Sequence, residues 1–177
     1  MQIETKRLYL RELTLDDFSE LYDVLADPAI MQYYPYTFDK DRVMNWITKN
    51  IERYQMFGFG LWAVVLKETG EMIEMIGDCG VTMQTINGNI KPEIGYHINR
   101  KFQRQGYAKE AAQKCRDWTF ENTPFNMLYS YMKEKNIASS ATAIANGMCK
   151  VDEFFDDENE KTVVYAITRN DWILLKK

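Results

Sequence analysis

Between Leu61 and Ile98 the chain carries LWAVVLK, MIGDCGVTMQ and KPEIGYHI, three apolar runs whose links contain ETGE and TINGN. Each run has strand length and composition, and each link has turn chemistry. Asn87-Gly88 is the strongest of these signals, because a two-residue hairpin turn needs positive φ at its central positions and Asn and Gly supply it. So much consecutive strand commits the fold to a sheet, and the rest of the chain must cover it. RLYLREL (Arg7 to Leu13) alternates as a half-buried strand. Thr14, Asp16 and Asp17 open a helix through Phe18, Leu21, Tyr22 and Leu25, ending near Asp27-Pro28. An aromatic loop, AIMQYYPYTF (Ala29 to Phe38), leads to Asp39, which caps a second helix carrying Val43, Trp46, Ile47, Ile51 and Tyr54. A helix is expected from Tyr107 to Glu121, then strand NMLYSYM, a short helix ending near Asn146-Gly147, and strands at Cys149 to Phe155 and Thr162 to Thr168. The order β-α-α-β-β-β-α-β-α-β-β is that of an α/β protein, a mixed sheet with helices on both faces.

At 177 residues and 20.9 kDa, one domain spanning 1–177 is expected. A domain of this size buries roughly 70% of its unfolded surface, enough for a core without covalent staples. The net charge of -4 and the lack of a basic tail argue against a nucleic-acid scaffold. Cys79, Cys115 and Cys149 form no CxxC pair and His97 is the single histidine, so a structural zinc site lacks ligands. Free thiols fit a reducing cytoplasm, and the opening MQIETKRLYLREL is no signal peptide. The longest apolar run, Phe57 to Leu66, is too short to cross a bilayer. The expectation is a cytoplasmic protein with no membrane, metal or nucleic-acid partner.

One stretch stands out: NRKFQRQGYAKEAA, Asn99 to Ala112, which joins KPEIGYHI to the helix after it. The first amides of a helix lack internal partners and sit at the positive end of its dipole, so they can hold phosphate oxygens. Gly106 allows close backbone approach, Ala108 is small, and Arg100, Lys101 and Arg104 add attraction. Neither a Walker loop nor a GxGxxG fingerprint is present. By spacing alone a diphosphate cradle and a solvated βα turn both stand.

Gln103-Arg104-Gln105-Gly106-Tyr107-Ala108 resembles the [QR]-x-x-G-x-[GA] signature of GNAT-superfamily N-acetyltransferases. IETKRLYLRELTLDDFSELYDVLADPAIMQYYP, GLWAVVLKETGEMI, IGDCGVTMQ, EIGYHI, NIASSATAIANGM and VVYAITRNDW resemble segments of the RimJ/RimL-like branch, which acetylates ribosomal-protein N-termini, over nearly the whole chain and in order. The resemblance implies a mostly antiparallel twisted sheet of about seven strands with a central parallel pair that splays apart. It implies acetyl-CoA as co-substrate, its pyrophosphate on the amides of Gln103, Arg104, Gln105, Gly106, Tyr107 and Ala108. Its pantetheine arm would pair with the backbone at Tyr96 and Ile98, and the Tyr96 amide would face the thioester oxygen.

The implied chemistry is direct attack of an amine on the acetyl thioester, helped by a base. Glu93 is the first candidate base; the alternative is an ion pair with a neighbour such as Lys91. Asp78 is a weaker candidate, and His97 reads as a satisfied structural residue. Many superfamily members carry a tyrosine as acid where this chain has Ala143, which leaves the acid unnamed. Ser139 is a candidate hydrogen-bond donor to the leaving thiolate, and Asn136 either holds the pantetheine or caps the short helix. Tyr33, Tyr34, Tyr36, Trp46 and Phe59 are candidate acceptor-site residues, although aromatic residues are more often core than pocket. The acceptor amine, a protein N-terminus or a small molecule, stays open, as does pairing into a homodimer. A non-catalytic acyl-CoA sensor and a partner-binding domain of the same fold are the rival readings.

Overall fold

The computed structural model describes residues 2–68 and 70–176. Its strands are β1 (Gln2–Glu4), β2 (Leu8–Arg11), β3 (Leu61–Glu68), β4 (Glu71–Ile86), β5 (Asn89–Ile98), β6 (Met127–Lys133), β7 (Cys149–Phe155) and β8 (Lys161–Thr168). Its helices are α1 (Phe18–Leu25), α2 (Lys40–Phe57), α3 (Tyr107–Asn122), α4 (Ile137–Ala145) and α5 (Arg169–Leu175). The strands form one eight-stranded sheet in the order β1-β2-β3-β4-β5-β6-β8-β7, antiparallel except where β5 meets β6. Among the described residues no helix is long and apolar enough to cross a membrane.

Two elements go beyond the sequence expectation. The eighth strand, β1, is three residues long, too short for alternation to register, and pairs with β2 at the sheet edge. After β8 the chain turns into α5, started by a capping box in which the Thr168 and Asp171 side chains satisfy each other's amides.

The sheet carries a core on each face. On one side Trp62, Val64, Ile76, Cys79, Ile94, Ala111, Cys115 and Leu128 pack under α3 and α4. On the other, Tyr9, Ala63, Val65 and Met75 meet Leu21 and Leu25 of α1 and Val43 and Ile47 of α2. α2 begins at Asp39, whose carboxylate accepts from the Arg42 amide, and ends at Gly58 with φ +74°, a left-handed conformation suited to glycine. The β4–β5 hairpin turns at Asn87 and Gly88, with φ of 48° and 75°. Its register pairs Asp78 with His97 and Thr82 with Glu93.

α2 is amphipathic except at Asn50, which is fully buried. The Asn50 side chain donates to Trp46 O (2.9 Å) and accepts from the Leu61 amide (2.9 Å), joining the helix to the first residue of β3. Replacing Asn50 by Leu strands that buried amide, so Asn50→Leu is expected to cost about 1–3 kcal/mol in urea unfolding at an unchanged slope.

Candidate active site

β5 and β6 share a single register pair, Glu93 with Tyr129, and then part. Just past that pair, the Ser130 hydroxyl donates to Ile94 O at 2.7 Å, which fixes the direction of the β5 backbone. Ile94 turns its peptide groups toward β6, so by the two-residue period Tyr96 and Ile98 turn theirs into the widening gap. Residue 97 points the other way: its carbonyl crowds Gly77 of β4, where an added Cβ would lie 1.9 Å from it. The Ile98 carbonyl accepts from the Gln103 side-chain amide at 2.9 Å, so one lone pair of that group is already engaged.

Beyond β5 a short turn at Arg100–Phe102 leads into the glycine loop. Arg104 and Gly106 both take left-handed φ, 59° and 83°, and α3 starts directly after. Among the described residues the amides of Gln105, Gly106, Tyr107 and Ala108 have no intramolecular acceptor. Unpaired amides at a helix N-terminus match the demands of a diphosphate.

A feature the sequence reading missed holds this loop. The Arg7 guanidinium pairs with Glu110 in the first turn of α3 (Nε to Oε2, 2.7 Å), donates to Gln105 O (3.0 Å) and lies over the Tyr107 ring (4.3 Å). Thr5 and the Arg7 amide also donate to the Glu110 carboxylate. Burial alone would raise its pKa, but these bonds from Thr5 and Arg7 hold it below the usual value. Of the three flanking cations, Arg100 is turned toward Asp27 at 3.8 Å.

On the α3 side of the gap the Tyr96 hydroxyl meets Ser139 Oγ at 2.9 Å and Ser139 O at 3.1 Å. Burial pushes the Tyr96 phenol up to about 12, against the opposing effect of the Ser139 hydrogen bond. Asn136 is the N-cap of α4, its side chain accepting from the Ser139 amide at 3.2 Å. Tyr96, Ser139 and Asn136 therefore form one linked group beside the parting.

The opposite face gathers the titratable groups. Glu93 is half-buried, and burial, followed by the Asp78 charge, pushes its carboxyl up to about 8. Its carboxylate lies over Gly95, where a Cβ would come within 3.1 Å of Oε2. The alternative pairing with Lys91 does not form: the Lys91 ammonium sits over the Tyr129 ring at 4.8 Å. Asp78 is fully buried and both its oxygens are engaged, by Trp46 Nε1 and His97 Nδ1, each at 2.8 Å, so it is not placed to take a proton directly. His97 is satisfied at both nitrogens, with Tyr34 OH 2.8 Å from Nε2. The Tyr34 phenol is pushed up by burial and then by the Glu93 and Asp78 charges, and the Tyr131 phenol by burial and Glu93.

Four of the five expected acceptor-site aromatics lie on the aromatic loop or on α2. Tyr34 and Trp46 reach this cluster, Tyr36 lies outward under Arg42 at 4.0 Å, and Tyr33 is half-buried beside Tyr34. Phe59 is not brought to this cluster: it is 8% exposed, in the core beneath α3, with its ring edge-on to Phe125 at 5.8 Å. It follows the left-handed turn at Gly58 and is drawn into the apolar interior on the other side of the sheet.

A family model described as an acetyltransferase (GNAT) domain matches residues 7–149. The protein YkkB of Bacillus subtilis is 33% identical over 148 residues, 83% of this chain and 84% of its own. A GNAT-family acetyltransferase from Bacillus anthracis superposes with a TM-score of 0.80 at 23% identity, covering 96% of this chain and 99% of that one. RimL, a ribosomal L7/L12 α-N-protein acetyltransferase solved with coenzyme A, gives 0.74 at 20% identity, covering 95% and 98%.

The Glu93 environment has a consequence for stability. With its carboxyl raised from 4.5 to about 8, the folded protein holds this proton more tightly than the unfolded chain does. The associated stability is complete below the unfolded value and is lost as pH rises through the folded one. Glu93→Gln should therefore gain on the parent as pH increases, with the difference levelling off above about 8. Urea midpoints of both proteins across that range check this.

Proposed function

The chain belongs to the GNAT acetyltransferase family and is an acyltransferase, and on that footing we propose that it transfers the acetyl group of acetyl-CoA to a primary amine by direct attack in a ternary complex. GNAT acetyltransferases use acetyl-CoA, which supplies the activated thioester. In this reading the amides of Gln105, Gly106, Tyr107 and Ala108 hold the diphosphate, the expected Gln103 amide being already engaged by Arg100 O at 3.3 Å, and Arg7 and Glu110 keep the loop in shape. The arm lies in the gap along Tyr96 and Ile98, and the Tyr96 amide meets the negative charge that grows on the thioester oxygen. Ser139, oriented by Tyr96 and by the Asn136 cap, hydrogen-bonds the departing thiolate. A coenzyme A thiol is acidic enough, near about 8.5 like free cysteine, to leave without a strong acid. The amine approaches from the face carrying Tyr34, Tyr36 and Trp46, with Tyr33 at its border.

The observation that carries the reading is Glu93, a carboxylate with no hydrogen-bond partner among the described residues, beside the one point where β5 and β6 still meet. An α-amine titrates at about 7.7–8.0 and a lysine-type amine at about 10.4. An α-amine is thus partly neutral near neutral pH and needs little help from a base, whereas a lysine-type amine is mostly protonated there. We therefore favour a protein N-terminal α-amine, in the manner of the RimJ/RimL-like branch, over a side-chain amine.

Thiol release from acetyl-CoA, measured over a panel of short peptides with free N-termini, N-blocked lysine peptides and polyamines, tests the assignment. The free N-termini should give the highest kcat/KM, and at saturating amine Glu93→Gln should lower kcat and change its pH profile, an unchanged profile removing Glu93 from the mechanism. Binding without release for every amine would favour an acyl-CoA sensor. Gly106→Val, forced into left-handed φ with its Cβ 3.4 Å from the Arg7 guanidinium, should abolish acetyl-CoA binding in calorimetry while the protein stays folded.

A further inference from the structure

An acceptor that arrives as an ammonium ion loses two protons on its way to an amide. One leaves before the nitrogen lone pair can attack, and the second leaves as the N–C bond forms and the C–S bond breaks. Glu93 can take only one of them.

A second set of groups on the same face forms an unbroken donor–acceptor chain. The Asp78 carboxylate, fully buried, accepts from Trp46 Nε1 at 2.8 Å and from His97 Nδ1 at 2.8 Å. With Nδ1 donating to the carboxylate, Nε2 carries the lone pair and accepts from the Tyr34 hydroxyl at 2.8 Å. Trp46 also stands edge-on to the imidazole, ring centroids 6.0 Å apart, and His97 is only 7% exposed. Tyr34 is 47% exposed, so its ring runs from the surface of the aromatic loop down to the buried imidazole. The groups facing this chain are Asp78 from β4, Glu93 from β5, Tyr131 from β6, Trp46 from α2 and Tyr34 from the loop. Anchoring a loop needs no more than one backbone acceptor on the strand. A desolvated carboxylate behind an imidazole is costly, and the arrangement is the one that stabilises a transient imidazolium.

We propose that Tyr34, backed by His97 and Asp78, is the second proton acceptor of the acyl transfer. The proposal rests on amine acetylation as the activity. Once Glu93 has taken the first proton, the amine nitrogen bonds to the acetyl carbon and the coenzyme A sulfur departs as thiolate. The remaining excess N–H proton passes to the Tyr34 oxygen while the Tyr34 proton passes to His97 Nε2. Asp78 balances the imidazolium, the thiolate takes a proton from solvent, and His97 returns its proton outward through Tyr34. Tyr34 touches the acceptor, whereas His97 and Asp78 are positioning residues.

The test uses the full chain with the most active amine of the panel. His97 is the only histidine, so its imidazole nitrogen signals need no assignment. They should report a proton on Nδ1 and a bare Nε2, and a protonated Nε2 would overturn the proposal without any activity measurement. Tyr34→Phe and His97→Gln should each lower kcat by about 10²-fold at little change in amine KM and in acetyl-CoA affinity. In the parent, kcat plotted against deuterium fraction should curve, showing two protons in flight, and Tyr34→Phe should straighten it. A rise in KM alone, or an unchanged isotope effect, would reduce Tyr34 to a loop tether and refute the relay. A parent that releases no thiol with any amine overturns the acetylation reading and the relay together, whereas an active parent matched by Tyr34→Phe overturns only the relay.

Discussion

The structure turns on the place where two parallel strands stop pairing. β5 and β6 hold together at Glu93–Tyr129, reinforced by the buried Ser130 hydroxyl on Ile94 O, and separate beyond it. An unpaired strand edge inside a sheet leaves peptide groups that must be satisfied by something other than the protein fold. Here those groups belong to Tyr96 and Ile98, and the loop that follows adds the unpaired amides at the start of α3. A single break in the ladder thus exposes a row of backbone donors and acceptors and ends it at a helix dipole, a surface shaped for a long ligand with an anionic end.

The same break organises the electrostatics. β4 pairs with β5 without a register shift from Gly77 to Ile86, so the Asn87-Gly88 turn sets Asp78 opposite His97 with no freedom to slip. Asp78 is held in the interior by the Trp46 and His97 hydrogen bonds, and its proximity in turn raises Glu93. Two carboxylates on one face have been given different tasks by their surroundings. The partnered one is held behind an imidazole, and the unpartnered one is left with a proton affinity near that of an α-amine.

Much of this was legible in the sequence because it is local. The hairpin, the strand-to-helix glycine loop and the Asp39 and Asn136 caps depend on residues within a few positions of each other. The Asp78–His97 pairing was also available: counting back from Asn87-Gly88 places them opposite each other, but His97 was weighed as a lone residue. Arg7 and Glu110 stand 103 positions apart and share no pattern a single sequence can display. The three-residue β1 is too short for periodicity, and α5 was hidden because VVYAIT reads as strand up to the Thr168 cap. Phe59 lies apart from the other aromatic candidates because an aromatic residue after a glycine turn reads equally as pocket or core, and only the side of the sheet it enters decides.

The period of a β-strand explains how one short segment could serve both reactants of the proposed transfer. Along β5 the backbone groups of Ile94, Tyr96 and Ile98 turn into the gap, while the side chains of Glu93 and His97 stand on the face covered by α1, α2 and the aromatic loop. Gly95 falls between Glu93 and His97 on that face, and its lack of a side chain leaves the space the Glu93 carboxylate occupies. The side chain of Tyr96 goes to the opposite face and joins Ser139. In the proposed reaction the in-plane peptide groups would address the carrier, one face would supply the proton acceptors, and the other holds the hydroxyls nearest the gap. A one-residue slip of β5 would exchange these assignments at every position. The long, exactly paired β4–β5 hairpin guards against that slip, which makes its turn as important to the chemistry as the glycine loop at the other end of the strand.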